Sequence, residues 1–225
     1  MLNALARSNT RGRRQLSEEA ANYVRALIVS GELLPGSRVR VEAIAEALGI
    51  STTPAREALQ ELKVEGFLEL IPRHGFRVAQ LTGKDIEDLF RVQALVAGEL
   101  VARAAQQATP TQITGLETIH ENLQAAAKAG DLTRLEELNH IFHREIYRIS
   151  DAPKVRWVLG LLTRYVPRIY YSSIEGWPES TIEDHGAILD MIKAADPEGA
   201  RAAIHEHLGH SGSLLAAHFN ERLQA

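Results

Sequence analysis

The residues that follow Ser51 combine two small hydroxyl side chains with an arginine at the start of a predicted helix. Ser51 can serve as the N-cap, and the apolar positions after it share one helix face, which leaves Arg56 on the opposite face. A helix of this kind can enter the major groove of DNA by its N-terminal end, where Thr52, Thr53 and Arg56 would meet base edges or phosphates. The Arg56 guanidinium can donate to two acceptors on one guanine. On a solvated face it would pair instead with a neighbouring acid such as Glu57.

Three predicted helices and a hairpin would position that arginine. The first helix begins with Ser17 as its N-cap and ends near Gly31, and the second carries an apolar stripe that Gly49 ends. A turn of about four residues, 48–51, joins the second helix to the third, which matches helix-turn-helix geometry. The order helix, helix, helix, hairpin therefore predicts a winged helix. The hairpin consists of two short predicted strands, at 67–71 and 76–79.

The loop at 72–75, between the two predicted strands, is basic and forms a predicted wing. Gly75 allows the chain to approach a partner closely. His74 and Gly75 are therefore candidates for contact with the minor groove or the DNA backbone, although a plain surface hairpin would have the same sequence. Arg38 and Arg40 are two further candidates for DNA binding.

The composition is typical of a globular chain. It has 225 residues, of which 45% are hydrophobic and 24% charged, and this excludes a disordered protein. It contains no Cys, which excludes a disulfide framework and a thiolate metal site. No apolar run approaches the roughly 18 residues of a membrane span, and the N-terminus lacks the apolar core of a signal peptide. We therefore expect a cytoplasmic protein with no membrane partner.

Charge is divided unevenly along the chain. Residues 1–80 carry 11 Lys and Arg against 9 Asp and Glu, whereas residues 81–225 carry 14 against 20. Only the first part suits a polyanion such as DNA. Residues 1–14 predict a flexible basic tail, which either follows phosphates or is simply solvated. The arginines of this tail are Arg7, Arg11, Arg13 and Arg14.

Beyond residue 80 the pattern is helical throughout, with breaks at turn residues such as Thr109-Pro110 and Gly130-Asp131. The sequence therefore predicts a mainly α fold, with a winged helix-turn-helix domain at 15–80 and an all-helical bundle of about six helices at 81–225. We expect the second domain to bind an effector and to form a dimer. Its predicted helices span 83–107, 111–129, 132–150, 153–175 with a kink at Pro167, 179–195 and 197–222.

A dense motif runs through the N-terminal part of the chain: GELLPGSRVRVEAIAEALGISTTPAREALQELKVEGFLELIPRHGFRV. It strongly resembles the winged helix of the GntR superfamily in its PG turn, its LGIS and TPAREAL segments and its HGFRV wing. The resemblance implies a transcriptional regulator, not an enzyme, that an effector releases from double-stranded DNA. A homodimer is expected because two recognition helices read a palindromic operator more specifically than one. Thr52 departs from the family, which usually has Arg there, so the base contact at that position is weaker or differently aimed.

The all-helical C-terminal part looks like the FadR-like branch of that superfamily, whose members carry an FCD ligand domain. This resemblance implies metal ligands, an Asp or Asn four residues before a His and two later His residues, which the chain matches with Asn139, His143, His185 and His207. Asn139 and His143 lie at i and i+4 and so share one helix face. His185 and His207 each continue an apolar stripe, so the three histidines are expected to face the interior. The near alternatives are His140, His205 and His210.

Without thiolates, this ligand set suits Zn²⁺ or another divalent ion that binds imidazole, such as Ni²⁺. Asn139 is neutral where many relatives have a carboxylate, which leaves more positive charge at the ion and favours an anionic effector. The resemblance implies a small carboxylic acid. Gln93 stands where the family often has Arg, which argues against a salt bridge to the acid at that position. The candidate effector-binding residues are Gln93, Arg144, Arg148 and Arg164, with Arg168 as a further choice.

Three other functions remain open on the sequence. A metal-dependent hydrolase would also use three histidines and an open position on the ion, with Glu206 beside His207 as its base, but no HExxH motif is present. A regulator could also sense the metal ion itself, with no organic effector. Alternatively, the histidines could be core residues beside an apolar effector pocket that binds no metal.

Overall fold

The structure is a computed structural model that describes residues 2–80, 82–163 and 174–224. The chain divides into two compact units, Met1–Leu81 with Arg222–Ala225 and Thr82–Glu221. Within the described ranges, no helix combines the length and the apolar character needed to cross a membrane.

The described part of the first unit contains three helices and a small antiparallel sheet. These are α1 (Leu2–Val29), β1 (Arg38–Val39), α2 (Val41–Leu48), α3 (Thr52–Val64), β2 (Leu68–Ile71) and β3 (Gly75–Val78). Helix α1 packs against α2 and α3, and α2 packs against α3. The strands lie in the order β1-β3-β2, and both pairs are antiparallel. This arrangement confirms the predicted winged helix.

Apolar side chains at helical spacing form the core of the first unit. Ala20 and Val24 of α1 and Leu59 and Leu62 of α3 are all 0% exposed, because spacings of three and four residues place them on one helix face. Helix α2 ends at Gly49, whose φ of 63° is left-handed and favours glycine. The chain turns at this glycine, so that α3 begins only a few residues later.

Three features of the first unit differ from the expectation. Helix α1 begins at Leu2, so the segment 1–14, predicted as a flexible tail, is helical from residue 2 onward. The run up to Leu16 contains no Pro and only one Gly, so little in it opposes a helix. Ser17 is buried inside α1 and does not cap its start. Strand β1 was not predicted, because two residues are too few to show the alternation of a strand.

The second unit is all-helical over its described residues, which confirms the predicted bundle. It contains α4 (Gly83–Gln107), α5 (Pro110–Ala129), α6 (Leu132–Ile149), α7 (Pro153–Leu162), α8 (Trp177–Lys193) and α9 (Pro197–Gln224). Helix α4 packs against α6, α7 and α8, and α5 packs against α6 and α8. The predicted helix 153–175 begins at Pro153 as expected, but α7 ends at Leu162. The kink predicted at Pro167 lies outside the described residues.

Capping boxes mark where two helices of the second unit begin. Thr82 and Asp85 form a reciprocal capping box at the start of α4, and Thr109 and Gln112 form another at the start of α5. Gly130 ends α5 with a left-handed φ of 68°. Because each cap fixes the first or last turn of a helix, it also fixes which residues face the interior.

Helices α4 and α9 approach each other closely at Gly212. A Cβ atom at position 212 would lie 2.7 Å from the Cβ atom of Phe90, which is closer than side-chain atoms pack. Phe90 is buried, so a larger residue at 212 would force the two helices apart.

A buried ion pair connects α1 with the residue that follows α3. Arg25 is 4% exposed, and its Nη2 atom lies 2.7 Å from Oε2 of Glu65. Its Nη1 atom donates to Oδ1 of Asn22 at 2.6 Å, and the guanidinium lies 5.7 Å from the centre of the Phe67 ring. Removal of either charge would leave the other buried without its partner.

We expect Arg25→Met to lower the free energy of unfolding by about 3–5 kcal/mol, the usual cost of leaving one charge of a buried pair alone. Arg77→Met is the matched control, because both side chains of the Arg77–Glu69 pair are exposed, at 46% and 47%. Exposed pairs contribute only about 0–1 kcal/mol. Urea denaturation of both variants measures the difference. Equal losses would show that the Arg25–Glu65 pair does not hold α1 to the end of α3.

Candidate functional site

The N-terminal end of α3 presents a polar surface to solvent. Thr52, Thr53 and Arg56 are exposed, and with Glu57 and Gln60 they line a shallow depression. Within the described residues, no hydrogen bond or ion pair involves Arg56, so the alternative pairing with Glu57 is not formed there. All the donors of this guanidinium are therefore available to a ligand.

The wing is the turn between β2 and β3. His74 and Gly75 are exposed at its tip, as a DNA contact would require. Gly75 has a φ of 85°, and Arg73 has a φ of 65°. This left-handed conformation costs a residue other than glycine about 1–3 kcal/mol. Arg73 thus adopts a backbone conformation that glycine would adopt at lower cost.

Exposed arginines continue from the wing onto the sheet. Arg38 of β1 lies directly opposite Arg77 of β3, and both side chains are exposed. Like charges in this position destabilise a sheet, and the ion pair of Arg77 with Glu69 offsets only one of the two charges. Arg40, which precedes α2, is exposed as well. Exposed positive charge of this kind suits an anionic partner.

Three histidines from three helices meet inside the second unit. His143 lies on α6, His185 on α8 and His207 on α9. Nε2 of His143 lies 3.1 Å from Nε2 of His185 and 3.2 Å from Nε2 of His207. The three candidate ligand atoms all lie within 4.8 Å of one another. The structure thus brings together the three histidines singled out in the sequence.

Burial keeps two of these imidazoles neutral. It lowers the pKa of His143 well below the usual 6.5, and the rings of His207 and His140 lower it further. Burial also lowers the pKa of His185 well below 6.5, with smaller contributions from His143 and His207. The Phe142 ring stacks on His185 with the ring centres 4.3 Å apart. A neutral imidazole retains the lone pair with which it binds a metal ion.

The donor set fits a divalent ion that binds nitrogen. Two nitrogens bound tetrahedrally at about 2.0–2.1 Å from one zinc ion are about 3.3–3.4 Å apart, and the separations of 3.1 and 3.2 Å from His143 come close to this spacing. Oδ1 of Asn139 is buried and has no hydrogen-bond partner within the described structure. Asn139 lies one turn before His143 on α6, so this oxygen is a candidate fourth ligand.

A carboxylate that the sequence analysis missed contacts the cluster from one side. Oδ2 of Asp184 lies 3.2 Å from Nδ1 of His207, and Nδ1 of His210 lies 3.1 Å from Oδ1 of Asp184. Burial raises the pKa of Asp184, but the hydrogen bonds from His207 and His210 outweigh it, so the pKa is lowered overall. His210, an alternative ligand in the sequence analysis, therefore faces this carboxylate. The position of Asp184 directly before His185 did not indicate this contact, because the side chains of consecutive helix residues point in different directions.

A cavity of about 270 Å³ adjoins the cluster. His143 and His207 lie in its wall together with Asn139, Gln93 and Arg144. Gln93 is only 4% exposed, and its Nε2 atom has no hydrogen-bond partner in the part of the chain that the structure describes. The lining residues that the sequence did not single out include Phe90, Tyr147, Arg156, Trp177 and Ser211.

Of the predicted effector-binding arginines in the described residues, one lies at the cavity and one does not. Arg144 lines the cavity, with 58% of its side chain exposed and its Nε 3.5 Å from Glu145. Arg148 is absent from the described lining, because its Nε donates to Glu145 at 2.8 Å on the surface of α6. Arg164 and Arg168 lie outside the described residues.

Two protein-family models match the chain. The model described as "Bacterial regulatory proteins, gntR family" matches residues 16–78. The model described as "FCD domain" matches residues 88–210, which is more than half of the chain. The two matches fall on the winged helix and on the helical bundle.

The chain is also similar to named regulators over most of its length. It is 28% identical to the HTH-type transcriptional regulator McbR of Escherichia coli, over 91% of this chain and 95% of that one. It is 32% identical to the Nta operon transcriptional regulator of Aminobacter aminovorans, with coverages of 81% and 86%. A probable D-xylose utilization operon transcriptional repressor of Paenarthrobacter nicotinovorans is 28% identical, with both coverages 87%. The solved structure of E. coli McbR/YncC matches 90% of this chain and 97% of that chain with a TM-score of 0.67 at 28% identity.

These similarities agree with the two units of the structure. The named relatives are transcriptional regulators and not enzymes, so they give no support to the hydrolase alternative. The chain belongs to the gntR family of bacterial regulatory proteins, and it is a transcriptional regulator with an N-terminal DNA-binding domain and a C-terminal FCD domain.

Proposed function

We propose that this regulator is a repressor that binds a palindromic operator as a homodimer and leaves it when a small carboxylic acid binds at a divalent metal ion. The observation that carries the proposal is the meeting of His143, His185 and His207 beside a cavity. An ion held by neutral imidazoles keeps its positive charge and its open coordination positions, which favours an anionic ligand.

The contacts with DNA are assigned to α3 and to the wing. Thr52, Thr53 and Arg56 enter the major groove, where the unpaired Arg56 guanidinium recognises guanine or bridges phosphates. Thr52 offers a single hydroxyl, so most of the base recognition on this helix falls to Arg56. The residues assigned to the DNA backbone and the minor groove are Arg38, Arg40, His74 and Gly75.

The homodimer is assigned to the second unit. Two recognition helices about one turn of DNA apart read both halves of a palindrome. Val92 and Leu95 are 46% and 62% exposed, and they lie one turn apart on α4, so they share one face. Trp157 on α7 is 63% exposed. Exposed apolar side chains of this size support a contact between two copies of the chain.

The metal ion is assigned to His143, His185 and His207, with Oδ1 of Asn139 as the fourth ligand. Imidazole ligands without thiolates suit Zn²⁺, and Ni²⁺ is the next choice. When bound, the ion supplies a fixed positive charge and a position for a carboxylate oxygen. Because Asn139 is neutral, it cancels none of that charge.

The effector is assigned to the cavity of about 270 Å³ beside the cluster, which suits a small organic acid. Its carboxylate binds the ion, and the remainder contacts the cavity wall. The buried, unpartnered Nε2 of Gln93 donates to an uncharged oxygen of the effector, such as a hydroxyl or a carbonyl. Arg144 offers a cation at the exposed side of the cavity. A contact between Arg164 and the effector remains a prediction.

The names of two relatives support control of an operon. One relative is named a probable repressor of a D-xylose utilization operon, and another is named a regulator of the Nta operon. From these names we infer only that the present chain represses a set of genes at a specific operator.

Arg56→Ala should weaken binding to genomic DNA fragments selected by the wild-type protein by about 5–150-fold, because a bidentate base contact contributes about 1–3 kcal/mol. Lys63→Ala, in the last turn of the same helix, removes one positive charge away from the base edges. It should weaken selected and scrambled DNA equally. Fluorescence anisotropy with both DNAs measures the effect. An unchanged affinity of the Arg56 variant for selected DNA would contradict the assignment.

Untagged protein should bind a single equivalent of Zn²⁺ or Ni²⁺ per chain, and His185→Ala should lose this binding because one ligand is gone. His205→Ala is the matched control, since its Nε2 faces Gly98 on α4 and His205 is not part of the three-histidine group. Metal analysis after dialysis, and thermal unfolding with and without a chelator, are the measurements. Equal metal content in the wild type and the His185 variant would refute the site.

A thermal-shift screen of organic acids on zinc-loaded protein should yield an acid that releases operator DNA. Gln93→Leu should raise the concentration needed for release by about 2–10-fold, because one hydrogen bond contributes about 0.5–1.5 kcal/mol. Gln106→Leu, an exposed position on the same helix, should change nothing. Sedimentation of labelled operator with increasing acid measures both the release and the mass of the complex.

The same titration separates the alternatives. Tighter operator binding in the presence of the acid would contradict repression, and a complex that contains one chain would contradict the homodimer. Release by zinc alone would indicate a regulator that senses metal. Release by the acid with equal potency in chelator would indicate an effector pocket without metal.

A further inference from the structure

The Asp184 carboxylate lies between two histidines of α9. It is carried by α8, directly before His185, and its side chain is 12% exposed. Oδ2 is 3.2 Å from Nδ1 of His207, while Nδ1 of His210 lies 3.1 Å from each carboxylate oxygen. Ser180, one turn earlier on α8, donates to Oδ2 at 3.3 Å. Both carboxylate oxygens therefore have hydrogen-bond partners.

The first of these contacts determines which nitrogen of His207 carries a proton. A neutral imidazole has one N–H and one lone pair, and the partner of one nitrogen decides the role of the other. Because a carboxylate only accepts, Nδ1 of His207 must donate to Asp184, which leaves the Nε2 lone pair directed at His143. By contrast, Nδ1 of His143 and Nδ1 of His185 have no hydrogen-bond partner within the described structure. Among the described contacts of the three imidazoles, only His207 therefore has a ring that is held by a carboxylate.

The second contact holds the carboxylate in place. His210 is 50% exposed, so it reaches Asp184 from the solvent side, whereas His207 reaches it from the interior. Without His210 and Ser180, the carboxylate could rotate toward water and release the His207 ring. His210 is therefore a support for Asp184 and lies outside the group of three candidate ligands.

We propose that Asp184 is a positioning residue, which orients His207 for the ion, and that His210 holds Asp184 in the required orientation. The proposal rests on the metal site of the proposed function. It makes the affinity for the ion depend on a carboxylate that does not touch the ion. Outer carboxylates of this kind change metal affinity by about 10–100-fold when removed.

Zinc affinity tests the proposal, measured on the full-length protein by competition with a chromophoric chelator. Asp184→Ala should weaken Zn²⁺ binding by about 10–100-fold. Glu183→Ala is the matched control, because it removes an exposed carboxylate from the neighbouring position of α8, and it should stay within about twofold of the wild type. Equal affinities of the two variants would overturn the proposal.

The conservative variant separates orientation from charge. Asp184→Asn keeps an oxygen that accepts from Nδ1 of His207, so it should bind Zn²⁺ more tightly than Asp184→Ala. If Asp184→Asn is as weak as Asp184→Ala, the accepting oxygen is not what matters and the proposal fails. His210→Ala should give a smaller loss than Asp184→Ala, because it removes only a support of the carboxylate.

Nitrogen-15 NMR of the histidine rings in metal-free protein gives a readout that a purely structural role would not change. In the wild type, His207 should be protonated at Nδ1, and this preference should disappear in Asp184→Ala. Protonation of His207 at Nε2 in the wild type would overturn the proposal even if the variants fail to fold. If the wild type binds no Zn²⁺ although His207 carries its proton at Nδ1, the proposed metal site fails and the orienting contact stands.

Discussion

Three imidazole rings on three different helices share one small volume of the C-terminal unit, and much of that unit follows from this requirement. For His143, His185 and His207 to lie within 4.8 Å of one another, each helix must have the right rotation about its axis, since one residue turns a side chain by about 100°. The stop at Gly130 contributes to that rotation for α6. Burial lowers the pKa of His143 and of His185, so that these two rings are neutral donors.

The first unit meets the opposite requirement, because it must keep positive charge at its surface. Its one deeply buried arginine, among the described residues, is Arg25, and Glu65 neutralises it inside the domain. Arg38 and Arg56 point to solvent instead, and Arg38 is opposed by another arginine across the sheet. Arginine thus occurs in this unit both as a buried ion-pair partner and, in separate places, as an exposed side chain. Residues 1–80 carry two more basic than acidic residues, although the net charge of the whole chain is −4.

Much of this arrangement could be predicted from local signals in the sequence. Helix α4 occupies 83–107 as predicted, because Thr82 and the Thr109-Pro110 break mark its two ends. The three histidines were predictable because each continues an apolar stripe at helical spacing and because the chain resembles a known family. Features that depend on distant partners were not predictable. Strand β1 exists only through its pairing with β3, and Asp184 meets His207 only once α8 and α9 are packed.

The same limit applies to the cavity and to the N-terminus. The sequence placed Arg144 and Arg148 together as candidates, but only Arg144 lies at the described cavity wall, since Arg148 lies one turn further along α6 beside Glu145. Arginine-rich composition suggested a tail at 1–14, although arginine, alanine and leucine are good helix formers and the segment is helical from residue 2. The charge of this segment indicates what it can bind, whereas its helix propensity indicates the conformation that it adopts.

The close approach of α4 and α9 bears on how the cavity can respond to its occupant. Phe90, which meets Gly212 of α9, is also part of the cavity wall. A Cβ atom at position 212 would lie against Cβ and Cγ of Phe90, so the position of this wall depends on a residue at 212 that has no side chain. In the proposed function, an acid that extends toward Phe90 would therefore meet a wall shared by two helices, whereas groups directed at Arg144 would meet the exposed side of the cavity.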